Sequence, residues 1–184
     1  MDPKEAALRA AAIAEAHEWI GTPFANGAKI KGGGVDCAML LERVFLAVGV
    51  IGESYPGRYS SQWHLHRDEE RYLAWANHLA IEVARPQPGD VGLWQLGRCY
   101  SHAGLFVDVT PGAEHIVHAW SLAERVKCDP VRMARLSMMP SAKGPVPRPV
   151  KYFDVFAKQL PGQLPAVAGH QEALAFNRAE LVKL

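Results

Sequence analysis

Cysteine is scarce in this 184-residue chain: Cys37, Cys99 and Cys128 are the only three, and none form a C-x-x-C pair. That excludes a disulfide-stapled scaffold and a thiolate zinc site, and it predicts a chain made in a reducing cytosol. Cys99 and Cys128 could in principle bond, but their spacing matches no disulfide framework. Long apolar runs are missing too. None approaches the ~20 residues of a membrane helix, so no membrane insertion is expected. The start, Met1-Asp2-Pro3-Lys4-Glu5, lacks the basic stretch and apolar core of a secretory signal. The expectation is therefore cytoplasmic synthesis, with another agent carrying the chain to any substrate beyond the membrane. Charge of one sign is also absent. Twenty basic and 19 acidic residues leave a net charge of +1, and no basic block exceeds a pair. Nothing here favours nucleic acid as a partner. Internal repeats and heptads are not found.

What is present is ordinary globular composition, 49% hydrophobic and 21% charged, in a length that suits one domain plus a tail. Pro3 to Ile20 reads as a helix, capped by Asp2, begun by Pro3 and ended by Gly21-Thr22-Pro23. A loop from Gly21 to Gly34 holds five glycines, the last three consecutive. Cys37 to Val48 reads as a buried helix with Asp36 as its cap. A helical pattern covers Asp68 to Ala84, and a third helix could begin at Ser60-Ser61-Gln62-Trp63. After the turn Pro86-Gln87-Pro88-Gly89-Asp90 come strand-like runs: Val91–Leu96, Ala103–Val109, His115–Trp120, Arg125–Val131 and, past a Pro-rich stretch, Val150–Phe156. Helices first and antiparallel strands second make an α+β fold, with helices on one side of the sheet. The expected division is a domain over 1–156 and, over 157–184, a linker with a short helix that could dock on a partner.

Cys37 stands where the glycine-rich loop meets a helix. The positive end of a helix dipole favours thiolate, and glycines leave room for a carbonyl substrate. His102 and His118 lie on adjacent strands. A hairpin turning near Pro111 makes opposed residues sum to about 222, which sets His102 opposite Trp120 and His118 opposite Gly104. Both histidines then share a face as diagonal neighbours, roughly 7–8 Å apart at Cβ. A nucleophile, a base and a group that orients the base would be at hand, with backbone N–H groups near Cys37 as an oxyanion hole. On the residues alone, a buried structural cysteine and two ordinary strand histidines explain the pattern equally well.

Taken in order, Gly21-Thr22-Pro23-Phe24, Val35-Asp36-Cys37, Pro88-Gly89-Asp90-Val91, His102-Ala103-Gly104-Leu105-Phe106-Val107 and Ile116-Val117-His118-Ala119 resemble the NlpC/P60 family of papain-like cell-wall cysteine peptidases, from about Ala10 to Phe156. The Trp63-His64 region resembles the family's phage and gene-transfer-particle branch. The resemblance implies a papain-like fold, N-terminal helices on an antiparallel sheet, with the reactive cysteine at a helix N-terminus. It also implies Cys37 as nucleophile, His102 as base and His118 as orienting residue in the hydrolysis of peptidoglycan stem peptides. No metal or cofactor is implied. The expected partners are the stem peptide and phage-like tail hub or tip proteins, in a particle acting in the periplasm or cell wall. Phe24 stands where the family commonly has tyrosine. Phe24, Asn26 and Asp36 are the expected substrate-side residues, Asn26 being placed to replace the missing hydroxyl.

Rival readings are a structural tail protein with a degenerate peptidase fold, and an acyl or amide transferase using the same nucleophile. His64-Leu65-His66 with Glu69 and Glu70 does not match H-E-x-x-H and reads as a solvated charged face. The glycines before Cys37 lack the lysine and hydroxyl of a phosphate loop. Trp75 and Trp94 read as core.

Overall fold

A computed structural model describes residues 1–54, 70–132 and 134–159. Helix α1 (Pro3–Glu18) starts at Asp2, whose side chain accepts the Lys4 N–H, with Pro3 in the first turn. A two-residue pair, β1 (Lys29–Ile30) with β2 (Gly34–Val35), turns the glycine-rich loop back on itself. Helix α2 (Cys37–Ala47) follows, then α3 (Arg71–Leu79) and β3 (Ile81–Val83). The main sheet is completed by β4 (Val91–Leu96), β5 (Cys99–Asp108), β6 (His115–Trp120) and β7 (Arg125–Pro130). A short α4 (Ala134–Ser137) and the pair β8 (Met138–Met139) and β9 (Val146–Pro147) precede β10 (Val150–Asp154). The main sheet is antiparallel, in the order β3-β10-β4-β5-β6-β7. This is the α+β architecture expected.

Alternation along β4, β5 and β6 gives the sheet two buried faces. Leu93, Ala103, Leu105, Val117 and Ala119 point to one face and pack with Ala12, Ala16, Met39, Leu40, Val44 and Phe45 of α1 and α2. Trp94, Phe106 and Ile116 point to the other, where Leu136 of α4 covers them beside Val131, Val150 and Tyr152. Trp75 and Trp94 are both core residues, as their sequence context indicates.

Several boundaries differ from the sequence expectation, and one strand is new. The third helix stops at Leu79 because Ala80 is already extended and Ile81–Val83 pairs with β10, Glu82 facing Phe153. Tertiary strand pairing there overrides a helical apolar pattern. Strand β5 begins at Cys99 rather than Ala103: the ladder to β4 shifts by one residue at Ser101 and then continues to Leu96–Cys99. Strand β10 ends at Asp154, whose side chain accepts the N–H groups of Phe156 and Ala157 and turns the chain. The Pro-rich stretch contributes β9, which the sequence did not suggest. The possible helix at Ser60–Trp63, the histidines His64 and His66, and residues 160–184 lie outside the described residues.

A buried ion cluster ties the two ends of this architecture together. The Arg9 guanidinium of α1 meets Asp90 at 2.6 Å, Asp154 at 2.8 Å and Glu5 at 2.8 Å, donates to the Pro88 carbonyl, and lies 4.5 Å above the Phe156 ring. The second Asp90 oxygen accepts the Gln87 N–H and so shapes the Pro88-Gly89-Asp90 turn that leads into β4. Replacing one partner leaves the others charged and out of water. Arg9→Met is therefore expected to lower stability by about 3–5 kcal/mol, read by urea denaturation. A loss below about 1 kcal/mol, the level of an exposed ion pair, would contradict the buried cluster.

Candidate active site

Asp36 builds the start of α2. One carboxylate oxygen accepts the N–H groups of Ala38, at 3.1 Å, and Met39, at 2.9 Å; the other accepts Gly27 N–H. One side chain thus caps the helix and pins the glycine-rich loop against it. The loop is held again by Thr22, whose hydroxyl accepts Gly32 N–H, and by backbone bonds from Val35 to Pro23 and from Ala25 to Val35. Gly34 is required by packing, since a Cβ there would sit 2.8 Å from Ala25 Cβ. The glycines expected to give a substrate room serve, at this position, to let two chain segments touch.

Cys37 is half-buried, while its sulfur is enclosed by neighbouring atoms. The ladder between β5 and β6 ends at Leu105–Val117, and beyond that pair β5 meets the helix start. Cys37 Sγ lies 3.9 Å from the Ser101 carbonyl, and the N–H groups of Cys37, Ala38 and Ala103 point at it. Those N–H groups favour thiolate, as the helix dipole does. Burial opposes them and wins, the nearby Asp36 carboxylate adds to it, and the thiol is pushed up to about 12. The expected helix-start thiolate is therefore corrected to a resting thiol. The cap that creates the helix start places a negative charge beside the sulfur and offsets the dipole.

The two histidines are brought together as the register count required. Leu105 faces Val117 and Phe106 faces Ile116, both on the expected sum, and the shift occurs only afterwards, where Asp108 faces His115. His102 Nε2 and His118 Nδ1 are 2.8 Å apart. Trp120 packs edge-on against His102, 4.7 Å between ring centres, and Gly104 leaves space that a Cβ, 3.1 Å from His118 Cβ, would fill. Both rings are buried. Burial holds His102 well below the ordinary histidine range, and the neighbouring His118 and Arg148 push the same way. Burial also lowers His118, although Asp129 pulls it back towards protonation. The resting set is thus a thiol and two neutral imidazoles. Among the described residues the Cys37 sulfur has no hydrogen bond to His102; on the β5 side its contacts are with the backbone on either side of that residue.

The expected substrate-side residues separate. Asp36 is buried and occupied with backbone N–H groups. Phe24 is half-buried against the core, bridged to Val35 and bonded through its N–H to the Glu124 carbonyl. Asn26 is exposed in a turn. Sequence reasoning missed Asp129, whose Oδ2 lies 3.3 Å from His118 Nε2, and Ser101, which carries the carbonyl at the sulfur. A second register count, across β6 and β7, would have found Asp129. Ser101 was hidden by the bulge. No group of three or more His, Cys, Asp or Glu stands in position to hold a metal among the described residues.

Residues 21–138, more than half of the chain, match the NlpC/P60 family. The chain belongs to the NlpC/P60 family. Similar solved structures include the NlpC/p60 domain of the peptidoglycan hydrolase SagA, at 21% identity over 78% of this chain and 96% of that one, with a TM-score of 0.49. The peptidoglycan hydrolase RipB of Mycobacterium tuberculosis is 18% identical over 84% of this chain and 68% of its own, with a TM-score of 0.47. The P60 domain of antigen MAP1204 from M. avium subspecies paratuberculosis is 17% identical, over 83% and 98%, with a TM-score of 0.48. No curated protein matches the chain. In this NlpC/P60 domain the thiol is held protonated, so alkylation of Cys37 by iodoacetamide should keep rising with pH beyond 9. The rate is read by mass spectrometry against Cys37→Ala, which removes the background from Cys99 and Cys128. A plateau already reached by pH 8 would show a thiolate instead.

Proposed function

We propose that this chain is a cysteine endopeptidase that hydrolyses peptide bonds in peptidoglycan stem peptides. The observation that carries the proposal is the convergence of Cys37, at the capped start of α2, with the β5 segment that bears His102, itself bonded to His118. Family membership supports it. SagA and RipB, to which the chain is similar, are themselves named as peptidoglycan hydrolases.

The chemistry follows from a neutral resting pair. As the substrate carbonyl carbon approaches, the Cys37 S–H proton moves to His102 and the sulfur forms a bond to that carbon. The carbonyl π electrons move to oxygen, where backbone N–H groups around the helix start would stabilise the charge. The tetrahedral species collapses, the C–N bond breaks, and His102 gives its proton to the leaving amine. The product is a thioester on Cys37. Water then adds to the thioester with His102 again taking a proton, the C–S bond breaks, the carboxylic acid leaves and the thiol is restored. His118 holds the His102 ring throughout, and the burial that keeps both imidazoles neutral keeps the base ready to accept.

The same reading includes delivery by a phage-like tail, with tail hub or tip proteins as partners and residues 157–184 as the docking segment. The motivating resemblance, around Trp63-His64, lies outside the described residues. Mass spectrometry of purified particles tests this part, and absence of the chain from every particle fraction would remove it. Retention of the fold as a catalytically weak tail protein is the second reading; the high-pKa thiol and Phe24 in place of tyrosine favour it.

Digestion of purified sacculi separates the two. Wild type should release muropeptides carrying new amino and carboxyl ends, and Cys37→Ala should fall by about a thousandfold or more. Equal release by both proteins would remove the enzymatic reading. Because burial lowers both histidines, the acid limb of kcat/KM should lie below pH 6.5, with no alkaline fall before pH 9. An acid limb above 7 would contradict the neutral base.

A further inference from the structure

Strand β7 adds a carboxylate behind the two histidines. The β6–β7 ladder sets Lys127 opposite His118 and Asp129 opposite Ile116, which makes Asp129 the diagonal neighbour of His118. Asp129 Oδ2 is 3.3 Å from His118 Nε2, and Asp129 Oδ1 is 3.2 Å from Lys127 Nζ. The lysine thus occupies one oxygen and leaves the other for the ring. We propose that Asp129 is a positioning residue that fixes the tautomers of both His118 and His102, leaving His102 Nδ1 as the bare nitrogen that can accept the Cys37 proton. The proposal deepens the peptidase reading and rests on its assignment of Cys37 and His102.

The argument is one of donor and acceptor counting. A carboxylate only accepts, so the bond to Asp129 places a hydrogen on His118 Nε2. A neutral imidazole carries one ring hydrogen, which leaves His118 Nδ1 bare. That nitrogen is 2.8 Å from His102 Nε2, so His102 Nε2 must be the donor. His102 in turn has its one hydrogen on Nε2, and Nδ1 is bare. Without Asp129, the reverse arrangement is equally allowed: His118 Nδ1–H would donate to a bare His102 Nε2. His102 would then carry its hydrogen on Nδ1 and could not take the thiol proton there. When His102 is protonated in the reaction, its Nε2–H still donates to His118, so no hydrogen has to move within the relay. The groups facing the pair are Lys127 and Asp129 from β7 and Trp120 from β6. Arg148, ahead of β10, acts on His102 from the other side, its own guanidinium bonded to the Gln95 and Met138 carbonyls. None of these besides Asp129 is an acceptor for His118 Nε2.

The test uses the full chain with 15N-labelled histidine, in which long-range 1H–15N spectra show which nitrogen of each ring is protonated. Wild type should show His118 protonated on Nε2 and His102 on Nε2. Asp129→Asn, which keeps the shape but can also donate, and Asp129→Ala should each convert both rings to the other tautomer or to a mixture. On stem-peptide substrate, kcat should fall by roughly tenfold to a thousandfold with KM changed by less than about threefold, a smaller loss than for a partner bonded directly to the base. Wild-type His118 protonated on Nδ1, or variants with unchanged tautomers, would overturn the proposal, as would a kcat within about twofold of wild type. A purely structural role would lower the melting temperature and leave the tautomers unchanged. The spectra are readable whether or not the wild type cleaves peptidoglycan, so failure of the peptidase reading is distinguishable from failure of this one.

Discussion

The Asp36 carboxylate is the constraint on which the candidate site depends. It reaches forward to the first turn of α2 and back to Gly27, so one charged group fixes both the helix that carries Cys37 and the loop beside it. A helix N-cap contributes ~1 kcal/mol, but its larger effect here is positional. It decides where the sulfur stands relative to β5. The same carboxylate acts against ionisation of that sulfur. Precise placement and easy ionisation are in conflict at this helix start, and placement prevails. The proton must then leave during the reaction rather than before it, which puts weight on a base that is neutral and correctly oriented.

That demand explains the second face of the sheet. A sheet covered only by helices on one side would leave His102 and His118 in water, where each would titrate near the ordinary histidine range and turn freely. Trp94 and Trp120 instead pack against the pair, on the face that Phe106, Ile116 and Leu136 help to cover. Burial keeps the rings neutral, and it makes each ring hydrogen costly to leave unpaired. Two buried imidazoles and one carboxylate in contact therefore have few hydrogen-bond patterns open to them. The Gly104 position, opposite His118, is where the face is thinned to admit the second ring.

Much of this was legible in the sequence because it depends on period and parity. Both long N-terminal helices, both caps and the strands Val91–Leu96 and His115–Trp120 follow from alternation and punctuation, and the pairing of His102 with His118 follows from one assumed turn. What was not legible depends on contacts between distant segments. Ile81–Val83 reads as the end of a helix until β10 is beside it. The bulge at Ser101 cannot be counted from a repeat, because a bulge is a break in the repeat. Asp129 looks like any charged residue on an edge strand until the register across β6 and β7 is known. The thiol's resting state was misjudged for a different reason. The dipole is a property of the helix and visible in sequence, whereas enclosure of the sulfur belongs to the assembled site.

The Arg9 cluster has a consequence for the boundaries of the unit. Its members come from residues 5–9, from Asp90 and from residues 154–156, so two of the three segments fall outside the stretch 21–138 that the family shares. A buried charge balance couples the first helix to the last strand across everything between them. Recombination or grafting that exchanged only one of these ends would strand a carboxylate or a guanidinium in the interior. The two ends form a single physical part, split by the chain and closed by charge.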